Sequence, residues 1–85
     1  MSKFTVINKS YELGWWITPG WTCIDKFDTK NNSTIKYNIH NWVVDNCTDD
    51  VVVLSLPQNR GEVSLFFKNE QDAVMFKLVW IGKNG

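Results

Sequence analysis

A single arginine, a single histidine and two widely spaced cysteines leave this chain poor in the residues that most active-site chemistry uses. Cys23 and Cys47 form no CxxC pair and have no histidine beside them in a metal-ligand spacing, which excludes zinc-ribbon and thioredoxin-type sites. Formal net charge is zero. No segment concentrates enough Lys or Arg for binding driven by phosphate contacts. No apolar run approaches the ~20 residues of a membrane-spanning helix, and none follows Met1, Ser2 and Lys3 as it would in a secretory leader. From these features we expect a soluble cytoplasmic protein with both thiols free, no cofactor and no membrane partner.

Large side chains are what the chain does have. Five Trp, five Phe and two Tyr stand in 85 residues. So short a chain permits one domain, residues 1–85, and such a domain depends on good packing of its bulky groups. With 44% apolar and 21% charged residues it is globular rather than disordered.

The best-defined stretch is 62–80. Val63, Leu65 and Phe67 alternate with Glu62, Ser64, Phe66 and Lys68, the period of a half-buried strand. Asn69 is placed to cap a following helix, and Asp72, three residues on, puts a carboxylate near its positive end. Ala73, Phe76 and Trp80 recur at helical spacing as one buried stripe. Residues 51–56 form a continuous β-branched and apolar run of the kind that occupies the middle of a sheet. Pro57 and the connection Gln58, Asn59, Arg60, Gly61 turn it into a hairpin with 62–67.

The first half is less regular. Phe4, Thr5, Val6 and Ile7 form a short strand, with Phe4 and Val6 on one face. Pro19 and Gly20 suit the two central positions of a turn, so Trp15, Trp16 and Ile17 are expected to pair with 21–27 in a second hairpin. Residues 34–47 fit either a strand, with Ile35, Tyr37 and Ile39 alternating, or a helix capped by Ser33 or Thr34. The helix runs longer and also accounts for Trp42 and Val43; a late start near Asn38 or Asn41 is compatible with it. Gly82 marks a helix stop. The expected fold is α+β: a small antiparallel sheet with two helices on one face, a ferredoxin-like variant in which the N-terminal strand stands in for the missing last one.

Phe67, Glu70, Asp72, Ala73, Phe76, Lys77, Leu78 and Trp80 stand in a Phe-x-x-Glu-x-Asp-Ala-x-x-Phe-Lys-Leu-x-Trp pattern. This segment resembles one in small accessory proteins of large tailed bacteriophages, and Ile39, His40, Asn41 and Trp42 resemble a Trp-bearing segment that precedes it in some of them. The resemblance covers about a quarter of the chain and is one of packing. It implies a viral accessory protein made in the host bacterial cytoplasm and transfers no catalytic residue.

No constellation in the sequence supports catalysis. His40 has no nucleophile motif near it, and a thiol partner would have to be Cys23 or Cys47. Asp45, Asp49 and Asp50 lack the spacing and glycine of a calcium loop. The loop 58–61 lacks the lysine and following helix of a phosphate site. What packing explains poorly is the run from Gly14 to Trp21. Trp15, Trp16 and Trp21 exceed what one small core hides, and neighbours on a strand point to opposite faces. Exposed Trp marks binding surfaces. The expected function is therefore a non-enzymatic protein that binds and modulates or inhibits a host protein through Trp15, Trp16, Trp21 and Arg60. The alternatives are a small nucleic-acid module, in which Phe66, Tyr37 or Trp stack on bases beside converging Lys3, Lys9, Lys26, Lys36 and Lys68, and a structural homo-oligomer.

Overall fold

The computed structural model describes residues 3–30 and 32–81. Four strands, β1 (Phe4–Ile7), β2 (Thr22–Asp28), β3 (Val51–Leu54) and β4 (Glu62–Phe67), form one sheet in the order β1-β3-β4-β2. Three helices accompany them: the single turn α1 (Leu13–Trp16), the long α2 (Ser33–Asn46) and α3 (Glu70–Phe76), which runs on into a π-helical turn, Lys77–Ile81. The chain is a small α+β fold, with its two main helices on one face of the sheet.

The sheet is mixed rather than antiparallel. β3 and β4 form the expected hairpin, with Val51 opposite Phe67 and Val53 opposite Leu65. Its connection is a 3₁₀ turn, Pro57–Asn59, followed by Arg60 and Gly61, both at positive φ. β1, however, runs parallel to β3. β2 pairs antiparallel with β4. Three strands therefore point one way and β4 points the other. This order also departs from the ferredoxin-like arrangement: β1 lies at the edge away from β2 instead of beside it.

That topology explains why the first hairpin does not form. β1 and β2 run in the same direction, so the chain between them must return across the sheet. It does so with a 3₁₀ turn, Ser10–Glu12, and then α1, whose local hydrogen bonds satisfy their own main-chain groups (Glu12 N–H to Lys9 O, Ile17 N–H to Leu13 O). The turn at Pro19 and Gly20 is present, with Gly20 at φ 107°, but it joins a helical turn to β2.

α2 settles the ambiguity of 34–47 in favour of a helix. It starts early, at Ser33, and the Asn32 side chain caps it by accepting from Thr34 N–H at 2.8 Å. A cap three residues ahead of the first apolar position, Ile35, gives the helix a full extra turn. In α3 the Asn69 side chain accepts from Gln71 N–H, as its position predicts. Gly82 lies outside the described residues.

The core lies between the helices and the front of the sheet. Ile24, Val51, Val53, Val63, Leu65 and Phe67 meet Ile39, Val43 and Cys47 from α2 and its cap, and Ala73 and Phe76 from α3. Phe76 is the hub. It is 0% exposed, and its ring lies 5.3 Å from Phe27, 5.5 Å from Phe67, 5.8 Å from Trp42 and 5.8 Å from Trp80, centroid to centroid. Edge-on and tilted contacts dominate, the arrangements aromatic quadrupoles favour. Asp72 is the other anchor. Its carboxylate is 2% exposed and accepts from Thr48 N–H at 3.0 Å and Asp49 N–H at 3.1 Å, tying α3 to the turn that enters β3.

Candidate functional site

The aromatic residues of the α1 region are on the outside. A helical turn separates successive side chains by about 100°, so Trp15 and Trp16 both project from the same side of the chain instead of splitting across a strand. Trp15 is 72% exposed and Trp16 42%. Tyr11 is exposed too and meets Trp15 edge-on at 5.9 Å. Two lysines rest on this surface: Lys3 Nζ lies 5.4 Å from the Trp16 ring centre, and Lys9 Nζ lies 5.8 Å from that of Tyr11. Ammonium groups in such positions are attracted by the ring faces and limit the rings' freedom.

Next to the exposed rings is an open cleft of ≈ 360 Å³, lined by Leu13, Ile17, Pro19, Trp21 and Phe66 among others. Phe66 belongs to the back of β4, opposite the core residues Leu65 and Phe67. Trp21 is half-buried in this wall. The structure thus brings Trp15, Trp16 and Trp21 to one side of the molecule, as two exposed rings and one cleft residue. Arg60 is not with them. Trp21 precedes the end of the β2–β4 ladder where Thr22 faces Phe67, whereas Arg60 precedes the end where Asp28 faces Glu62. The five residue steps between those ends span about 17 Å.

The lysines do not gather either. Lys3 and Lys9 flank the aromatic turn, Lys26 sits in the bulge of β2, Lys36 is on α2, and Lys68 lies 4.0 Å from Asp49. Tyr37 is exposed on α2 and is separated by the sheet from Phe66.

A second exposed apolar surface was not evident from the sequence stripe. Val74, Met75, Leu78, Val79 and Ile81 all face outward from α3 and its π turn. The signal for it was present: 73–81 is apolar almost all round, which a helix packed on one side only does not require.

The candidate catalytic groups stay apart. His40 is exposed on α2, with its ring 4.9 Å from that of Phe4, whereas Cys23 lies on the back of β2. Cys47 is buried at the end of α2, and burial, reinforced by the Asp72 carboxylate, pushes its thiol up to about 12. Cys23 is exposed, and partial burial followed by the Asp25 charge raises it as well. Among the described residues, no three His, Cys, Asp or Glu side chains are placed to hold a metal ion, and no helix is long and apolar enough to cross a membrane.

Both thiols are free, which leads to a two-step expectation. An aromatic disulfide reagent should modify Cys23 in the folded protein and Cys47 only on unfolding. Cys47 also adds an alkaline term to stability. Below pH 9 its thiol is neutral in both states and contributes nothing. Between 9.0 and about 12 the unfolded chain loses the proton that the folded chain keeps, so stability falls as pH rises. Urea midpoints across that range should decline less steeply for Cys47→Ala than for the parent.

Comparison of the chain with family models, curated proteins and solved structures gives no match. The geometry of the aromatic surface is therefore the basis for a functional reading.

Proposed function

We propose that this domain is a non-enzymatic binding protein that acts by occupying a surface of another protein, with Tyr11, Trp15 and Trp16 as its anchors and the adjoining cleft at Leu13, Ile17, Trp21 and Phe66 as a receptor for an apolar side chain. The observation that carries this reading is the exposure of Trp15, 72%, on a turn that has no packing need for it. Burying such a ring in a partner's pocket supplies a large apolar area with only two side-chain torsions to fix. Lys3 and Lys9 at the rim favour a partner with carboxylates around its pocket. If the resemblance to phage accessory proteins holds, that partner is a protein of the bacterial host. Steric occupation of a host surface would then modulate or inhibit it, and would require no more than an ordinary interface of ~800 Å² per side. Arg60, remote from the rings, has no part in this surface.

A second reading rests on the same two lysines. Exposed rings beside cations can stack on unpaired bases. Two charges are few for that purpose, and the other lysines are elsewhere.

The test is capture from a bacterial lysate by the parent and by Trp15→Ser, with and without nuclease. A protein retained after nuclease and lost with Trp15→Ser is the expected result. Truncating an anchor Trp typically costs ~2 kcal/mol or more of binding, whereas a substitution at an exposed site changes stability by no more than ~0.5 kcal/mol. The melting curve of Trp15→Ser should therefore overlay that of the parent. Capture that vanishes with nuclease favours the nucleic-acid reading, and capture indifferent to Trp15→Ser refutes this surface.

A further inference from the structure

The sheet has two edges, and they are treated differently. The β2 edge carries a bulge between Ile24 and Phe27, with Lys26 at φ 56°, and exposes Asp25, Lys26 and Asp28. Bulges and charges of this kind prevent another strand from adding on. The β1 edge, Phe4–Ile7, has no charge, no proline and no bulge. Lys3 O and Ile7 O both accept from the β3 side, from Val51 N–H and Ser55 N–H at 2.8 Å each. Main-chain groups alternate along a strand, so those of Phe4 and Val6 point outward. Among the described residues no strand pairs with them, and the Val6 side chain is 55% exposed.

The helix above this edge continues the surface. The Phe4–His40 ring contact fixes which side of α2 overhangs β1. Tyr37 and Val44, three residues before and four after His40, flank it along the same side, and both are exposed. The charges of α2 are also reversed with respect to its own dipole: Lys36 is in the first turn and Asp45 in the last. Each is unfavourable where it stands.

We propose that β1 and α2 form the interface of a two-fold homodimer, in which β1 pairs antiparallel with β1 of a second copy. Unpaired amides and carbonyls on a strand are satisfied by another strand, and an antiparallel copy centred on Thr5 sets Phe4 opposite Val6 of the partner subunit, so that both outward residues exchange hydrogen bonds. His40 lies over Phe4, one residue from that centre, so the middle of α2 falls near the same axis. The two α2 helices then run antiparallel, with Tyr37 against Val44 of the partner subunit. The Lys36 end of one helix lies along the C-terminal end of the other, so that Lys36 meets an opposite helix pole. A second copy thus supplies the strand that this edge lacks and a negative helix pole beside Lys36. Lys3, which rests on Trp16, adjoins the end of this edge, whereas Tyr11 and Trp15 lie outside it.

Sedimentation velocity over a concentration series tests the proposal. The full chain should associate reversibly to twice its 9.9 kDa mass. Val6→Lys and Val44→Lys, each at an exposed position, should each raise the dimer dissociation constant by about tenfold or more, and Trp15→Ser should leave it unchanged. Amide exchange at Phe4 and Val6 should slow as concentration rises. Far-UV circular dichroism checks that the variants fold; if Val6→Lys does not, Val44→Lys and the amide exchange of the parent carry the test. A chain that stays monomeric up to its solubility limit overturns the proposal. So does a dimer indifferent to the folded variants, or one broken instead by Leu78→Lys on the α3 surface.

Discussion

Phe76→Ala is expected to remove most of the stability of this domain. The ring is fully buried and shares faces or edges with Phe27, Trp42, Phe67 and Trp80, which come from β2, α2, β4 and the π turn. Its loss removes the transfer free energy of the ring and leaves a cavity that four rigid neighbours cannot easily fill. A Phe→Ala change in such a site costs ~3–5 kcal/mol. A domain of this size has only a few more in total. Urea unfolding should show a midpoint far below that of the parent, or no folded baseline at all. Phe76→Leu should recover part of the loss, because a branched aliphatic group refills some of the volume. A Phe76→Ala melt that coincides with the parent's would refute the aromatic hub.

The second large effect is expected at Asp72. Replacing it with Ala leaves two main-chain amides, Thr48 N–H and Asp49 N–H, without their acceptor and removes a carboxylate from the first turn of α3. Hydrogen bonds to a charged group contribute ~1.5–3 kcal/mol, and an amide left unsatisfied costs ~1–3 kcal/mol. Because the turn at Thr48 is only part-buried and water can reach some of it, we expect a net loss of about 3 kcal/mol. Asp72→Asn keeps an acceptor oxygen and should lose less. Equal urea midpoints for the two variants would show that the carboxylate does not act through these amides.

Part of this architecture was legible in the sequence. The β3–β4 hairpin, the Asn69 cap and the stripe Ala73, Phe76 and Trp80 follow from patterns that act within a few residues, where period and capping chemistry decide. Asp72 was legible as a charge at a helix start but not as a tie to Thr48 and Asp49, since that contact joins segments distant in the chain. The hairpin expected at Trp15–Trp21 fails for a related reason. Pro19 and Gly20 specify a turn but not what it connects, and the parallel pairing of β1 with β3 dictates a crossing segment in its place. Trp15 and Trp16 were correctly marked as more than a core could hold. Arg60 lies toward the other end of the β2–β4 ladder from Trp21, a separation that is set by strand register and cannot be counted before the partners are known. The outward apolar side of α3 was overlooked because the inner stripe already explained the helix.

The strand order also constrains the synthesis of the chain. Both inner strands, β3 and β4, belong to the second half of the sequence, and both outer strands belong to the first. As the polypeptide leaves the ribosome, β1 has nothing to pair with until Val51–Leu54 has emerged, and β2 has nothing until Glu62–Phe67 has. α2 is made before the inner strands that it packs against. Folding of this domain is therefore expected to wait for its second half: the β3–β4 hairpin and α3 assemble first from neighbouring residues, and the older half of the chain, with most of its tryptophans, docks onto them afterwards.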